Sequence, residues 1–161
     1  MAQYARSGAY TDCYATDVPG TVSHAQYVGA FYTTPLFKLE RLILKWAISR
    51  PSTDDQARQL AAGPLDRFAA WDVEKRAENQ LLLCDLSGRT RSWLMVEPLP
   101  GGDGTRLYFG SAVVPKAGAP GMGQPYRALL GFHKLYSRTL LYSAKARLRR
   151  GKDTGPRRSP G

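Results

Sequence analysis

Histidine and cysteine are scarce in this chain, and the scarcity removes several kinds of chemistry at the outset. The two histidines, His24 and His133, lie far apart, and neither has a second histidine, cysteine or carboxylate at a metal-ligand spacing. The two cysteines, Cys13 and Cys84, form no CxxC pair and are too few for a disulfide scaffold, so both are expected to be reduced packing residues. There is no GxSxG elbow, and the run KAGAPGMGQ at 116–124 matches neither a P-loop nor a GxGxxG fingerprint. That run reads as a linker, and the sequence indicates no cofactor. Long apolar stretches are missing too. Nothing approaches the roughly 18 residues that cross a bilayer, and Met1 to Tyr10 lacks the apolar segment of a signal peptide. The expectation is a soluble cytoplasmic protein.

Acidic residues are the other shortage. Against 23 Lys and Arg stand 13 Asp and Glu, a net charge of +10, and the excess is concentrated at the C-terminus. Between Lys145 and Arg158, seven cations face one anion, Asp153, which leaves the body of the chain only weakly basic. The segment 151–161 (GKDTGPRRSPG) has no apolar residue with which to offset the entropy of ordering, so it is expected to be a disordered basic tail. Such a tail suits nucleic-acid phosphates or an anionic membrane surface, or serves solubility alone. The 161 residues, 43% hydrophobic, otherwise fit one domain over 1–150, because chains of this size bury about 70% of their unfolded surface.

What is present is a clear succession of periodic segments. Residues 9–18 (AYTDCYATDV) alternate as a strand does, and Pro19-Gly20 ends it. Ser23 with Gln26 forms a capping-box pattern, and Tyr27, Val28 and Phe31 recur at helical spacing, which predicts a helix over 24–32. Thr34 as cap and Pro35 as first residue begin another helix, 35–48, since proline is tolerated in the first turn. The side of that helix with Leu36, Leu39, Ile43, Trp46 and Ala47 is expected to be deeply packed. A further capping box, Thr53 with Gln56, opens a short helix that Gly63-Pro64 closes. Four strand-like runs follow, 68–76, 80–86, 90–99 and 105–114, whose short loops can join only antiparallel neighbours. From Pro125 a long helix places Arg127, Lys134, Arg138 and Lys145 in one outward stripe, with Leu129, Phe132, His133, Tyr136 and Leu140 opposite. The predicted class is α+β, with about five antiparallel strands packed on a long C-terminal helix.

This order of elements, from Tyr10 to Leu148, resembles the START-like (SRPBCC, helix-grip) superfamily of ligand-binding and aromatase/cyclase-like domains. The segments CDLSGRTRSW (84–93), TRLYFGSAV (105–113) and LLGFHKLYSRTLL (129–141) are similar to small bacterial proteins of unknown function grouped with it. The resemblance implies a curved antiparallel sheet wrapped around the C-terminal helix and an internal cavity. It implies no particular activity.

Six residues are candidates for such a site. His133 faces inward between Leu129 and Tyr136, where an imidazole can bind a ligand or act as acid or base near neutral pH, or simply rest in the core on a carbonyl or a tyrosine hydroxyl. Tyr136, one turn on, offers a phenol. Arg91, Trp93 and Met95 share one face of their strand, so Arg91 can clamp a carboxylate or phosphate while Trp93 stacks, or can pair instead with Asp85. Tyr108 on the next strand can face the same side, in a register that the sequence does not fix. Glu40 and Arg41 diverge by about 100° on their helix, so at most one points inward without a partner, and a buried Glu40 facing Arg91 or His133 would be a pocket acid. His24, in a first helical turn, is expected to be exposed. The leading reading is a hydrophobic or aromatic small molecule held between sheet and C-terminal helix, with Trp71, Trp93, Phe109, Leu129 and Phe132 as lining. The alternatives are a cyclase-like enzyme using His133 and Arg91 in that cavity, and an anionic-surface binder acting through the tail and the cationic stripe.

Overall fold

Six antiparallel strands and five helices make up the parts of the chain that the computed structural model describes, residues 2–48, 52–114 and 124–153. The strands are β1 (Tyr10–Pro19), β2 (Arg67–Phe68), β3 (Trp71–Ala77), β4 (Gln80–Asp85), β5 (Thr90–Pro98) and β6 (Gly104–Val113). They form one open sheet in the order β1-β6-β5-β4-β3-β2. The meander follows from its short loops, and β1 joins its far side by pairing along β6 from Tyr10↔Val113 to Pro19↔Gly104. The helices are α1 (Ala2–Arg6), α2 (His24–Tyr32), α3 (Pro35–Ile48), α4 (Asp54–Ala62) and α5 (Gln124–Asp153).

Strand periodicity divides the sheet into two unlike faces. The inner face carries Val18, Leu107, Phe109, Leu94, Val96, Leu81 and Leu83, all in the hydrophobic core with Tyr27, Val28, Phe31, Leu60, Leu140 and Leu141 of the helices. At the centre of that core lies α2. Its capping box is formed in both directions, with Ser23 Oγ accepting from the Gln26 N–H at 3.2 Å and Gln26 Oε1 accepting from the Ser23 N–H at 2.8 Å. Its aromatic rings continue into α3 and β2, with Phe31, Tyr32, Phe37 and Phe68 in edge, tilted and stacked contacts 4.8–6.4 Å apart. Long helix α5 packs over α2 and β1 through Leu140, Leu141 and Ala144. The sheet therefore packs on the C-terminal helix as expected, with six strands rather than five and with α2 packed against both α5 and β5.

Several local expectations change. The run 68–76 is broken at Ala69, whose φ of 53° makes a tight reversal between β2 and β3 that no glycine or proline announces. Among the described side chains of α3 the buried ones are Phe37 and Arg41, whereas Leu39 is about half exposed, because this part of α3 meets the core along the Phe37 edge. Arg41 is tolerated inside through Asp54 at 2.6 Å, Ser52 Oγ at 2.9 Å and the Phe68 ring at 5.8 Å. Cys13 is exposed and Cys84 half-buried, and both are free thiols, so Cys13 is no packing residue. The cationic stripe does not project freely outward but follows edge strand β1. Lys134 lies 6.0 Å from the Tyr10 ring, Arg138 lies 5.2 Å from the Tyr14 ring, and Lys145 donates to Thr16 at 2.9 Å. Helix α5 continues three residues into the segment expected to be tail. Residues 115–123, which take in all but Gln124 of the expected linker, the side chains of Ile43, Trp46, Ala47, Arg127, Leu129 and Phe132, and residues 154–161 lie outside the described part.

Candidate functional site

On α5, His133, Tyr136 and Ser137 fall on the side that also carries Leu140, Leu141 and Ala144, because positions three and four apart share one helical face. That side turns toward β1, β6 and α3, and it brings two polar groups of residues together beneath the helix.

The first group centres on Asp12. Its carboxylate accepts from Ser111 Oγ at 2.5 Å and from the Tyr10 and Tyr14 hydroxyls at 3.2 Å each, while His133 Nε2 lies 3.6 Å away. Ser111 and Asp12 are directly paired across β6 and β1, which is why both reach the inner face. His133 Nε2 stands 2.6 Å from Ser111 Oγ. The serine has one hydrogen, directed at Asp12, so the hydrogen between serine and imidazole resides on Nε2. That polarity is the reverse of a nucleophilic triad, in which the imidazole takes the serine's proton and a carboxylate holds the other ring nitrogen. Composition alone would suggest a triad, and the direction of the bonds argues against one.

The second group is Glu40 with Tyr136, whose hydroxyl donates to the Glu40 carboxylate. Burial raises the Glu40 pKa, and the tyrosine hydrogen bond partly opposes that rise. Tyr136 is itself pushed up, first by burial and then by the neighbouring Glu40 charge. Nearby in the interior, the Tyr32 hydroxyl shares a hydrogen bond of 3.2 Å with Ser92 Oγ, on the strand position directly beside Ser111. Ser137 is wholly buried, and its hydroxyl has no hydrogen-bond partner. The indole N–H of Trp71, also on the inner face, is buried in the same condition. Phe109 belongs to the core, against Phe31 at 4.9 Å.

Arg91, Trp93 and Tyr108 do not join this group. Paired positions place them on the outer face, with Cys84, Leu82 and Gly110, while their sequence neighbours Ser92, Leu94 and Phe109 face inward. Arg91 is held by Glu74 at 2.9 Å and by the Tyr4 hydroxyl at 3.1 Å, with the Tyr4 ring 4.9 Å beneath its guanidinium. Its anionic partner is therefore Glu74, neither Asp85 nor Glu40. Trp93 donates to Gln80 Oε1 at 3.1 Å and lies 6.2 Å from the Tyr108 ring, and the Tyr108 hydroxyl donates to Glu97 at 2.8 Å. Ser111, Asp12 and Ser137 escaped the sequence reading. Asp12 and Ser111 meet only through the pairing of β1 with β6, across a separation of 99 positions that no local pattern reports.

His24 is buried rather than exposed, with Nε2 3.3 Å from the Leu94 carbonyl, and burial lowers its pKa. It borders a cleft of about 580 Å³ at the opposite end of the sheet, between the start of α2, the end of α4 and the β3–β4 turn. Among the described residues no cluster of His, Cys, Asp and Glu is placed to hold a metal ion, and no helix is long and apolar enough to cross a membrane.

No family model matches the chain, and no curated protein matches it. Among solved structures it is similar to the crystal structure of Ara h 8.0201, with 8% identity and a TM-score of 0.39 over 85% of this chain and 97% of that one. It is also similar to the C-terminal domain of a Deinococcus radiodurans protein solved by NMR, with 16% identity and a TM-score of 0.29 over 83% of this chain and 94% of that one.

Proposed function

We propose that this chain is a binding module for a hydrophobic or aromatic small molecule, seated beneath α5 with its polar end among Tyr136, Glu40, Ser137 and His133. The observation that supports this reading best is Ser137. A helical serine ordinarily returns its hydrogen to the carbonyl four residues back, and a buried hydroxyl left without any partner costs about 1–3 kcal/mol. A ligand oxygen or nitrogen at that point removes the cost and is oriented by the neighbouring phenol and imidazole, while the aromatic core around α2 offers the apolar surroundings. Binding fits these residues better than nucleophilic turnover, because His133 Nε2 donates to Ser111 and is not placed to take that serine's proton.

Titration with the neutral apolar fluorophore N-phenyl-1-naphthylamine tests the reading. One saturable site is expected, and Tyr136→Phe and Ser137→Ala should each weaken it by about threefold to tenfold, the worth of one hydrogen bond. Absence of saturable binding, or variants that bind as tightly as the parent, would count against a site beneath α5.

A further inference from the structure

The outer face of the sheet holds a separate pocket of about 260 Å³, lined chiefly by Gln3, Lys75, Gln80, Leu82 and Trp93. A β-bulge adjoins it and sets Lys75 in its lining. Val73 pairs with Leu83, but Lys75 pairs with Leu82, so the register slips by one residue at Glu74. Continued without the slip, the ladder would set Lys75 opposite Leu81, an inner-face position. With it, Glu74 and Lys75 both oppose Leu82 and project outward, the re-aiming of side chains for which bulges are commonly used.

One rung of the sheet then reads Lys75, Leu82, Trp93, Gly110. Strands lie about 4.8 Å apart, so Lys75 and Trp93 are held roughly 10 Å from one another across Leu82. Leu82 is buried and forms the floor. Gly110, directly opposite Trp93, puts no side chain on the rung itself, and the Tyr108 ring lies 6.2 Å from the indole. The other cations nearby are engaged, Arg91 by Glu74 and Tyr4, and Arg76 by the Leu60 and Leu65 carbonyls at 2.8 and 3.0 Å. Lys75 is exposed and makes no ion pair among the described residues. Gln80 gives its oxygen to the Trp93 N–H, which leaves its amide hydrogens as donors at the pocket edge.

We propose that this pocket binds a planar aromatic carboxylate. The ring lies over Leu82 against Trp93 in an offset stack, and the carboxylate meets the Lys75 ammonium with the Gln3 and Gln80 amides alongside. The occupant is one or two fused rings wide, because the rung leaves only the span between Lys75 and Trp93. This site lies on the opposite face of the sheet from the one beneath α5 and does not depend on it.

The test is a titration of nitrogen-15-labelled protein with naphthalene-1-carboxylate, followed at the indole N–H signals, with the Trp93 signal assigned by Trp93→Phe. The Trp93 signal should move saturably. Lys75→Gln, a change at an exposed position, should weaken naphthalene-1-carboxylate binding by about fivefold while leaving the affinity of the uncharged naphthalene-1-carboxamide unchanged. A Trp93 signal that does not move, or a Lys75→Gln protein that binds the carboxylate as tightly as the parent, would overturn the proposal.

Discussion

Glu40 is a carboxyl group held where ionisation is disfavoured, and His24 is an imidazole held where protonation is. Burial lifts the Glu40 pKa above its ordinary 4.5, so the folded chain keeps that proton longer than the unfolded one. Its contribution to stability is greatest below pH 4.5 and is lost as pH rises through the folded-state value. Burial takes the His24 pKa below 6.5, so its contribution is complete above pH 6.5 and is lost as pH falls through the lowered value. Urea denaturation across this range checks both signs. Relative to the parent, Glu40→Gln should gain stability as pH rises from about 4.5 to neutral, and His24→Gln should lose part of the decline below about 6.5. A charged pair inside an apolar helix made Glu40 conspicuous in the sequence. Its partner was not legible, because Tyr136 is brought to it only when α5 crosses α3.

Elements governed by local chemistry were legible almost to the residue. Both capping boxes, the proline start of α3 and the glycine close of α4, at a φ of 106° for Gly63, depend on neighbours a few positions away. Because α2 is central to the core, its cap matters to the whole domain. Ser23→Ala should lower the unfolding free energy by about 1 kcal/mol in urea denaturation with the circular dichroism spectrum unchanged. The misread elements depend on distant partners. Ala69 reverses the chain without a turn residue, the bulge at Glu74 is defined only against β4, and the α5 cations lie along β1 because its tyrosines line that edge. Helical periodicity separates two sides of a helix, and it does not say which side another element will cover.

The same limit explains the candidate site at the scale of the molecule. Period two correctly put Arg91 with Trp93, and Ser92 with Leu94, on opposite faces, but only the helices' choice of face decides which set is interior. Four helices cover the inner face, so His133 and Tyr136 lie beneath α5 while Arg91, Trp93 and Tyr108 look the other way. One site imagined from six residues thus becomes two regions. One is an interior polar group under α5, and the other is an outer rung defined by a bulge. Within the interior, the central claim is that the unpartnered hydroxyl of Ser137 and the Glu40–Tyr136 pair receive the polar end of a bound molecule. Native mass spectrometry of the chain, gently purified from cells that make it naturally, tests this most directly. The account predicts a mass increment of one small molecule that is reduced in Tyr136→Phe and Ser137→Ala, and a parent protein found only at its bare polypeptide mass would contradict it.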